Sequence, residues 1–389
     1  MDLPQPDPDQ AEASERLAAV IRDEIRTRGP MDFARWMQLA LYAPGLGYYS
    51  AGSTKFGAGG DFITAPELGP VFAQCVARAC APVLRATSGD WVELGAGSGA
   101  FAVDVLIALQ ELDALPRRYL IVETSAELRA RQARNIAARV PALAGRVRWL
   151  DSPQGEPWAG VLFSNEVVDA LPVRRFVRHE GGRVMALAVG LDTQDRFVEL
   201  EVDGDPALVE SVRRLHAESG SAWPHPYRSE VLPQLTAWFD AVAGQLARGL
   251  VLFVDYGYPR QEYYRPERVD GTLVCHYRHR GHGDPYLNVG LQDITAFVDF
   301  TALAEAGTEA DFALAGYASQ AQFLFASGIA EIVDATRDLP ELERQRVVQA
   351  VKRLTLPGDM GERFKAIAFA RGIDKVELGI SAVDQSHRL

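Results

Sequence analysis

Trp91-Val92-Glu93-Leu94-Gly95-Ala96-Gly97-Ser98-Gly99 passes from an apolar run into three closely spaced glycines. The pattern predicts a strand over 91–95, a tight turn, and a helix over 99–115. Glycines there let the backbone turn sharply and approach a ligand without a Cβ in the way. The helix N-terminus beyond them offers unpaired N–H groups and partial positive charge to an anionic ligand group. Downstream, the residues predict a strand over 118–123, a helix over 125–139, and strands over 146–150 and 159–164. Short apolar strands alternating with amphipathic helices mean a parallel sheet covered on both faces, an α/β fold. LVLFVDYG (250–257) is the strongest single strand signal, and 311–317 and FKAIAFAR (364–371) supply two more.

The rest of the chain is decoration on this core. Residues 1–10 read as a disordered tail and 11–90 as a helical N-terminal extension. Leu17, Val20, Ile21 and Ile25 have helical spacing, and so do Phe33, Trp36, Met37, Ala40 and Leu41. A further helix is expected from Pro66 to about Leu84. The core spans 91–372, with insertions at about 173–247 and 318–355 and a C-terminal tail at 373–389. Around Gly181-Gly182 the alternation has period two, which predicts an antiparallel hairpin over 173–203. Helical signal follows over about 206–247. Residues 258–292 are rich in Tyr, Arg, Gly and Pro, and are long for an idle connection.

Composition narrows the function. The chain has 389 residues, with 40 Lys plus Arg against 52 Asp plus Glu, a formal net charge of −12. That argues against a nucleic-acid binder, whose affinity comes largely from cations neutralising phosphates, and favours a basic partner. No apolar run approaches the roughly 20 residues that span a bilayer. Three cysteines, Cys75, Cys80 and Cys275, build no disulfide framework in a chain of this size. The acidic, Pro-rich start resembles neither a signal nor a transit peptide, so the expected location is a bacterial cytoplasm.

Acids close to the strand ends indicate what the glycine loop holds. Glu93 lies inside the first strand, Glu123 ends the second, where an acid can hold both ribose hydroxyls, and Asp151 ends the third, within reach of an adenine amino group. The set suits S-adenosylmethionine, which carries a ribose and a carboxylate but no pyrophosphate. Gly95-x-Gly97-x-x-Ala100 also fits a dinucleotide fingerprint, and a glycine turn needed only for packing is the third possibility.

Five further stretches accompany ELGAGSG: GDFITAPELG (60–69), SNEVVDALPVRRF (164–176), VDYG (254–257), GLQDITAFVDF (290–300) and GERF (361–364). In this order they resemble the MidA-like S-adenosylmethionine-dependent methyltransferases, from about residue 15 to 372. The resemblance implies the class I methyltransferase fold, a Rossmann-like seven-stranded sheet whose strands six and seven form a terminal antiparallel pair. For mitochondrial members it implies symmetric dimethylation of an arginine in a catalytic-core subunit of respiratory complex I, needed for assembly of that complex.

An arginine acceptor has a pKa above about 12, so its nitrogens are poor nucleophiles. Carboxylates that grip the guanidinium and orient the emerging lone pair answer this. Glu166 and Asp169, after the fourth strand, are the expected catalytic pair. Glu166 as a helix cap and Asp169 as a surface charge are the plainer readings. Glu93, Gly95, Gly97, Gly99, Glu123, Asp151 and Asn165 form the expected cofactor set. On the acceptor side stand Asp61, Thr64, Asp255, Tyr256, Asp293 and Asp299. Phe62 and Glu67 accompany Asp61 and Thr64 in a segment that can fold over the cofactor mouth, or Thr64 can simply cap the next helix. Tyr48 and Tyr49 could stack on a guanidinium. Cys275, His276, His279 and His282 lack a zinc pattern and alternate with Arg278 and Arg280, so no metal is expected. Two other functions fit the same residues: an assembly factor that grips a partner without turnover, and a small-molecule methyltransferase.

Overall fold

The computed structural model describes residues 3–50, 64–153 and 155–389. They form two compact units, each assembled from separate stretches of chain. One comprises Ile63–Val167, Leu235–Gly257 and Phe300–Leu389, and the other Met1–Phe62, Val168–Gln234 and Tyr258–Asp299.

The first unit contains the parallel sheet. Its strands are β1 (Asp90–Leu94), β2 (Tyr119–Val122), β3 (Val147–Leu150), β4 (Trp158–Asn165), β5 (Leu246–Tyr258), β6 (Ala313–Ser319) and β7 (Phe364–Arg371). They lie in the order 6-7-5-4-1-2-3. β1 to β5 pair in parallel, while β7 runs antiparallel between β5 and β6. That is the terminal antiparallel pair expected of strands six and seven. Every residue of β1 is buried, as a central parallel strand requires. Trp91 stacks on Tyr119 with ring centroids 6.0 Å apart, and Phe101 on Phe163 at 4.3 Å. The strand order reverses between β1 and β4. Ligands of open α/β sheets bind at the carboxyl ends of strands at such a point.

Three boundaries in this unit differ from the sequence reading. The helix expected from Pro66 is a short turn of 3-10 helix, Ala65–Leu68, followed by the helix Val71–Thr87. The region 318–355 divides into helices Gln320–Ala326, Ile329–Asp334 and Glu341–Thr355. Residues 373–389 are packed rather than loose. Ile373 and Ile380 join the core, and around Tyr317 of β6 Asp384 accepts its N–H at 2.9 Å while the Gln385 N–H donates to its carbonyl at 2.6 Å. This covers the outer edge of β6, where unpaired backbone groups would otherwise be presented.

The second unit is built on antiparallel strands. Its helix runs Pro8–Arg28, so part of the expected tail is ordered. Asp7 and Gln10 form a reciprocal capping box, with Pro8 in the first turn. Leu17, Ala18, Ile21 and Ile25 pack with Phe33, Trp36 and Leu41 of helix Phe33–Tyr42. The expected hairpin is three strands, Arg174–Arg178, Val184–Leu191 and Phe197–Asp203. Gly181 and Gly182 turn the first pair, and the Asp192 carboxylate turns the second by accepting the N–H groups of Gln194 and Arg196. Within the stretch read as helical, Pro206–Glu218 is a helix, as is Leu235–Ala243 of the first unit, but Tyr227–Val231 is a strand paired with Arg174–Arg178. Residues 258–292 also carry structure: the turn Arg260–Tyr263 and strands Val274–Tyr277 and Arg280–His282, the former pairing with Asp293–Thr295. No helix among the described residues is long and apolar enough to cross a membrane.

Candidate functional site

At the end of β1 the backbone turns through Gly95, Gly97 and Gly99 at φ +65°, +52° and +79°, the left-handed region that glycine enters without a Cβ penalty. A Cβ on Gly95 would lie 2.8 Å from a methyl of Val167. Gly99 caps the helix Ala100–Glu111. Ser98 in the loop donates to the carboxylate of Glu67, which ties Ala65–Leu68 to the loop. Thr64, at the cap position of that turn, makes no side-chain capping bond. Asp61 and Phe62 lie outside the described residues.

The acids fare differently. Glu93 is buried and accepts the Tyr119 hydroxyl at 2.7 Å. Burial pushes its carboxyl up to about 8, opposed by the Tyr119 bond and helped by the nearby Glu123. Glu123 is also raised by burial, and is held by the Ser125 N–H at 2.9 Å and the Gln132 amide at 3.3 Å. Asp151 is largely exposed and pairs with Arg129.

β4 ends in Ser164 and Asn165. The Ser164 hydroxyl and the Asn165 carbonyl oxygen are buried and find no hydrogen-bond partner among the described residues. The Asn165 amide nitrogen donates to Glu166 at 2.9 Å. Glu166 itself sits at φ +53°, a left-handed backbone that side chains rarely adopt, and its N–H bonds the Val254 carbonyl at 3.0 Å. No helix follows it, because the next element is strand Arg174–Arg178, so the helix-cap reading of Glu166 fails. Asp255, fully buried at the end of β5, accepts the N–H of Val167 at 3.2 Å and that of Tyr256 at 2.9 Å. Its carboxylate thus clamps the segment that carries Glu166. Tyr256 packs edge-on against Phe364 at 5.4 Å.

The other candidates belong to the second unit, whose boundary falls between Val167 and Val168. Asp169 is buried, not a surface charge, and its carbonyl accepts the Ala296 N–H at 2.9 Å. Asp293 is buried and accepts the Tyr49 hydroxyl at 2.8 Å. Tyr49 stacks on Tyr42 at 5.5 Å and meets Tyr48 edge-on at 5.0 Å. Burial, then the charge of Asp293, holds the Tyr49 hydroxyl well above its ordinary range, with Asp169 contributing. Asp169, Asp293, Tyr48 and Tyr49 are therefore one neighbourhood. Asp299 pairs at 3.4 Å with buried Arg260, which also binds Glu218 at 2.6 Å. Cys275 is buried within a strand, and burial raises its thiol. Among the described residues no three His, Cys, Asp or Glu gather as a metal site.

Residues 75–318 match the family model described as "Putative S-adenosyl-L-methionine-dependent methyltransferase". The chain belongs to this family. Over their full lengths, it is also 43% identical, with a TM-score of 0.95, to a Burkholderia thailandensis protein whose crystal structure holds S-adenosyl-homocysteine. Curated relatives include the mitochondrial protein arginine methyltransferase NDUFAF7 homolog of Caenorhabditis elegans, 28% identical over 92% of this chain and 87% of that protein. The NDUFAF7 of Danio rerio is 29% identical over 89% and 84%.

Family membership makes the protein a methyltransferase that uses S-adenosylmethionine, and the dinucleotide reading of the glycine loop is set aside. The residues at the loop fit that cofactor. The turn at Gly95 has no room for a side chain, and the Ser164 hydroxyl and the Asn165 side-chain oxygen at the end of β4 are buried without a hydrogen-bond partner among the described residues. Gln132 was missed in the sequence. Its signal was a polar residue at a core position, four residues from both Leu128 and Ile136 on the buried side of its helix.

Proposed function

We propose that this methyltransferase transfers its methyl group to the guanidinium of an arginine in a protein acceptor. A subunit of respiratory complex I, which the family resemblance implies, is the first acceptor to test, and a bacterial cytoplasm the compartment. The observation that carries the reading is Glu166, held in a left-handed backbone straight after β4 and oriented by Asn165 at 2.9 Å. Strained residues of this kind concentrate at active sites.

Bound S-adenosylmethionine supplies an electrophilic methyl on a sulfonium. Glu123 takes the ribose hydroxyls and Asp151 the adenine amino group. The glycine loop, with Glu93 behind it and Asn165 opposite, fixes the remainder. Glu166 grips one edge of the guanidinium and takes the proton that the attacking nitrogen releases, which frees its lone pair. Asp255 holds the backbone after Glu166 in place. Asp169 is the proposed second carboxylate, and Asp61, Thr64, Tyr256 and Asp293 are the proposed acceptor-side residues. Asp299, a further proposed acceptor-side residue, pairs with Arg260.

Glu166→Gln tests the role, since it keeps the shape and the hydrogen bond from Asn165 but cannot take the proton. The expected result is a fall in methyl transfer of at least about 100-fold, in the range for a lost general base, with S-adenosyl-homocysteine affinity within about twofold, well below the cost of a lost hydrogen bond. Unchanged turnover removes Glu166 from the mechanism. Lost cofactor binding would make it a cofactor ligand instead.

A further inference from the structure

Gln132 is fully buried in the helix Ala126–Arg139, although its neighbours in sequence include Arg131 and Arg134. A buried amide must satisfy both its oxygen and its nitrogen. The oxygen accepts the Trp149 indole N–H at 2.8 Å. An indole only donates, so the oxygen must face Trp149 and the NH2 group must face the other way. There it meets two acceptors, the Gly97 carbonyl at 3.0 Å and the Glu123 carboxylate at 3.3 Å. The neighbouring Gly99 leaves space for the stem, since a Cβ on it would come within 3.2 Å of the Gln132 Cα. One side chain thus ties β3, the glycine loop and the acid at the end of β2 into one frame.

We infer that Gln132 is a positioning residue for S-adenosylmethionine, which sets the glycine loop and Glu123 at the separation the cofactor requires and keeps Glu123 able to accept the ribose hydroxyls. This rests on the reading of Glu123 as the ribose acid. A donor to a carboxylate favours its charged form, so Gln132 opposes the burial of Glu123. The other groups facing that carboxylate are the Ser125 and Thr124 backbones and Arg129, with Glu93 on β1 acting against them.

The test is calorimetric titration of S-adenosyl-homocysteine into the wild type, Gln132→Met, Gln132→Glu, Glu123→Gln and the Gln132→Met/Glu123→Gln double variant across pH 6 to 9. Gln132→Met should weaken binding about tenfold or more, as the loss of a hydrogen bond to a charged group does. Its pH profile should shift upward from the wild type, with affinity recovering as Glu123 ionises. The double variant should lose less than the product of the single losses, because both act on one interaction. Gln132→Glu, nearly isosteric, sets a second carboxyl beside Glu123 and should bind progressively worse as pH rises. It carries the test should Gln132→Met not fold. Unchanged affinity in both Gln132 variants, or multiplicative losses with an unshifted pH profile, overturns the inference and leaves Gln132 a packing residue. Unchanged affinity in Glu123→Gln alone would show that the ribose reading itself is wrong.

Discussion

Glu166 in the left-handed region costs roughly 1–2 kcal/mol relative to glycine at the same φ. Glu166→Gly should therefore raise thermal stability, by up to about 1 kcal/mol, while abolishing methyl transfer. A variant that is both less stable and still active would mean that the backbone there is set for packing. Glu93 makes an opposite kind of prediction. Its carboxyl is pushed up to about 8, from an ordinary value of 4.5. Between those values the unfolded chain has released the proton while the folded chain keeps it, so stability falls as pH rises through that window. Glu93→Gln can still accept the Tyr119 hydroxyl. It should melt close to the wild type at about pH 5 and clearly above it at about pH 9, in ligand-free protein. Equal melting temperatures at both would show that Glu93 is not held protonated. Neither residue's state was readable from the sequence, because a positive φ and a buried carboxyl leave no trace in residue type.

The strand–glycine–helix element was legible to within a few residues, a strand over 91–95 and a helix over 99–115 against Asp90–Leu94 and Ala100–Glu111, because Trp91, Val92 and Leu94 mark the strand and the glycines end it. Tyr227–Val231 was not. Ser229 and Glu230 are buried polar residues in that strand, so the apolar alternation is broken between Tyr227 and Val231. Burial raises the Glu230 carboxyl, opposed by Arg175, and Thr272 donates its backbone N–H to it at 3.0 Å, partners distant in sequence. The strands Val274–Tyr277 and Arg280–His282 were hidden in the same way, by a stretch of Arg, His and Gly that reads as loop. At the glycine loop, Gly95→Ala combines a left-handed backbone with a Cβ 2.8 Å from Val167. It should weaken S-adenosyl-homocysteine binding and lower stability by about 1–2 kcal/mol or more. Adding Val167→Ala should restore part of the loss. No restoration would place the whole effect in the backbone.

Across the whole molecule the charge is −12, so association with a basic acceptor should be steered electrostatically. Raising ionic strength from about 50 to 300 mM should lower kcat/KM for a folded basic acceptor more than the affinity for S-adenosyl-homocysteine, since screening acts on encounter. Equal salt dependence of the two would argue against such a partner. Each unit has its own apolar core, one around the parallel sheet and one joining helices Pro8–Arg28 and Phe33–Tyr42 to antiparallel strands. The cofactor loop lies in the first, and the buried pair Asp169 and Asp293 with its tyrosines in the second. The most direct measurement is site-localised mass spectrometry of protein acceptors, complex I subunits first, incubated with the purified enzyme and isotope-labelled S-adenosylmethionine, beside Glu166→Gln. Label on an arginine side chain with the wild type, and none with Glu166→Gln, is the predicted result. Label on another residue or on a small molecule, or on arginine with both proteins, would contradict it.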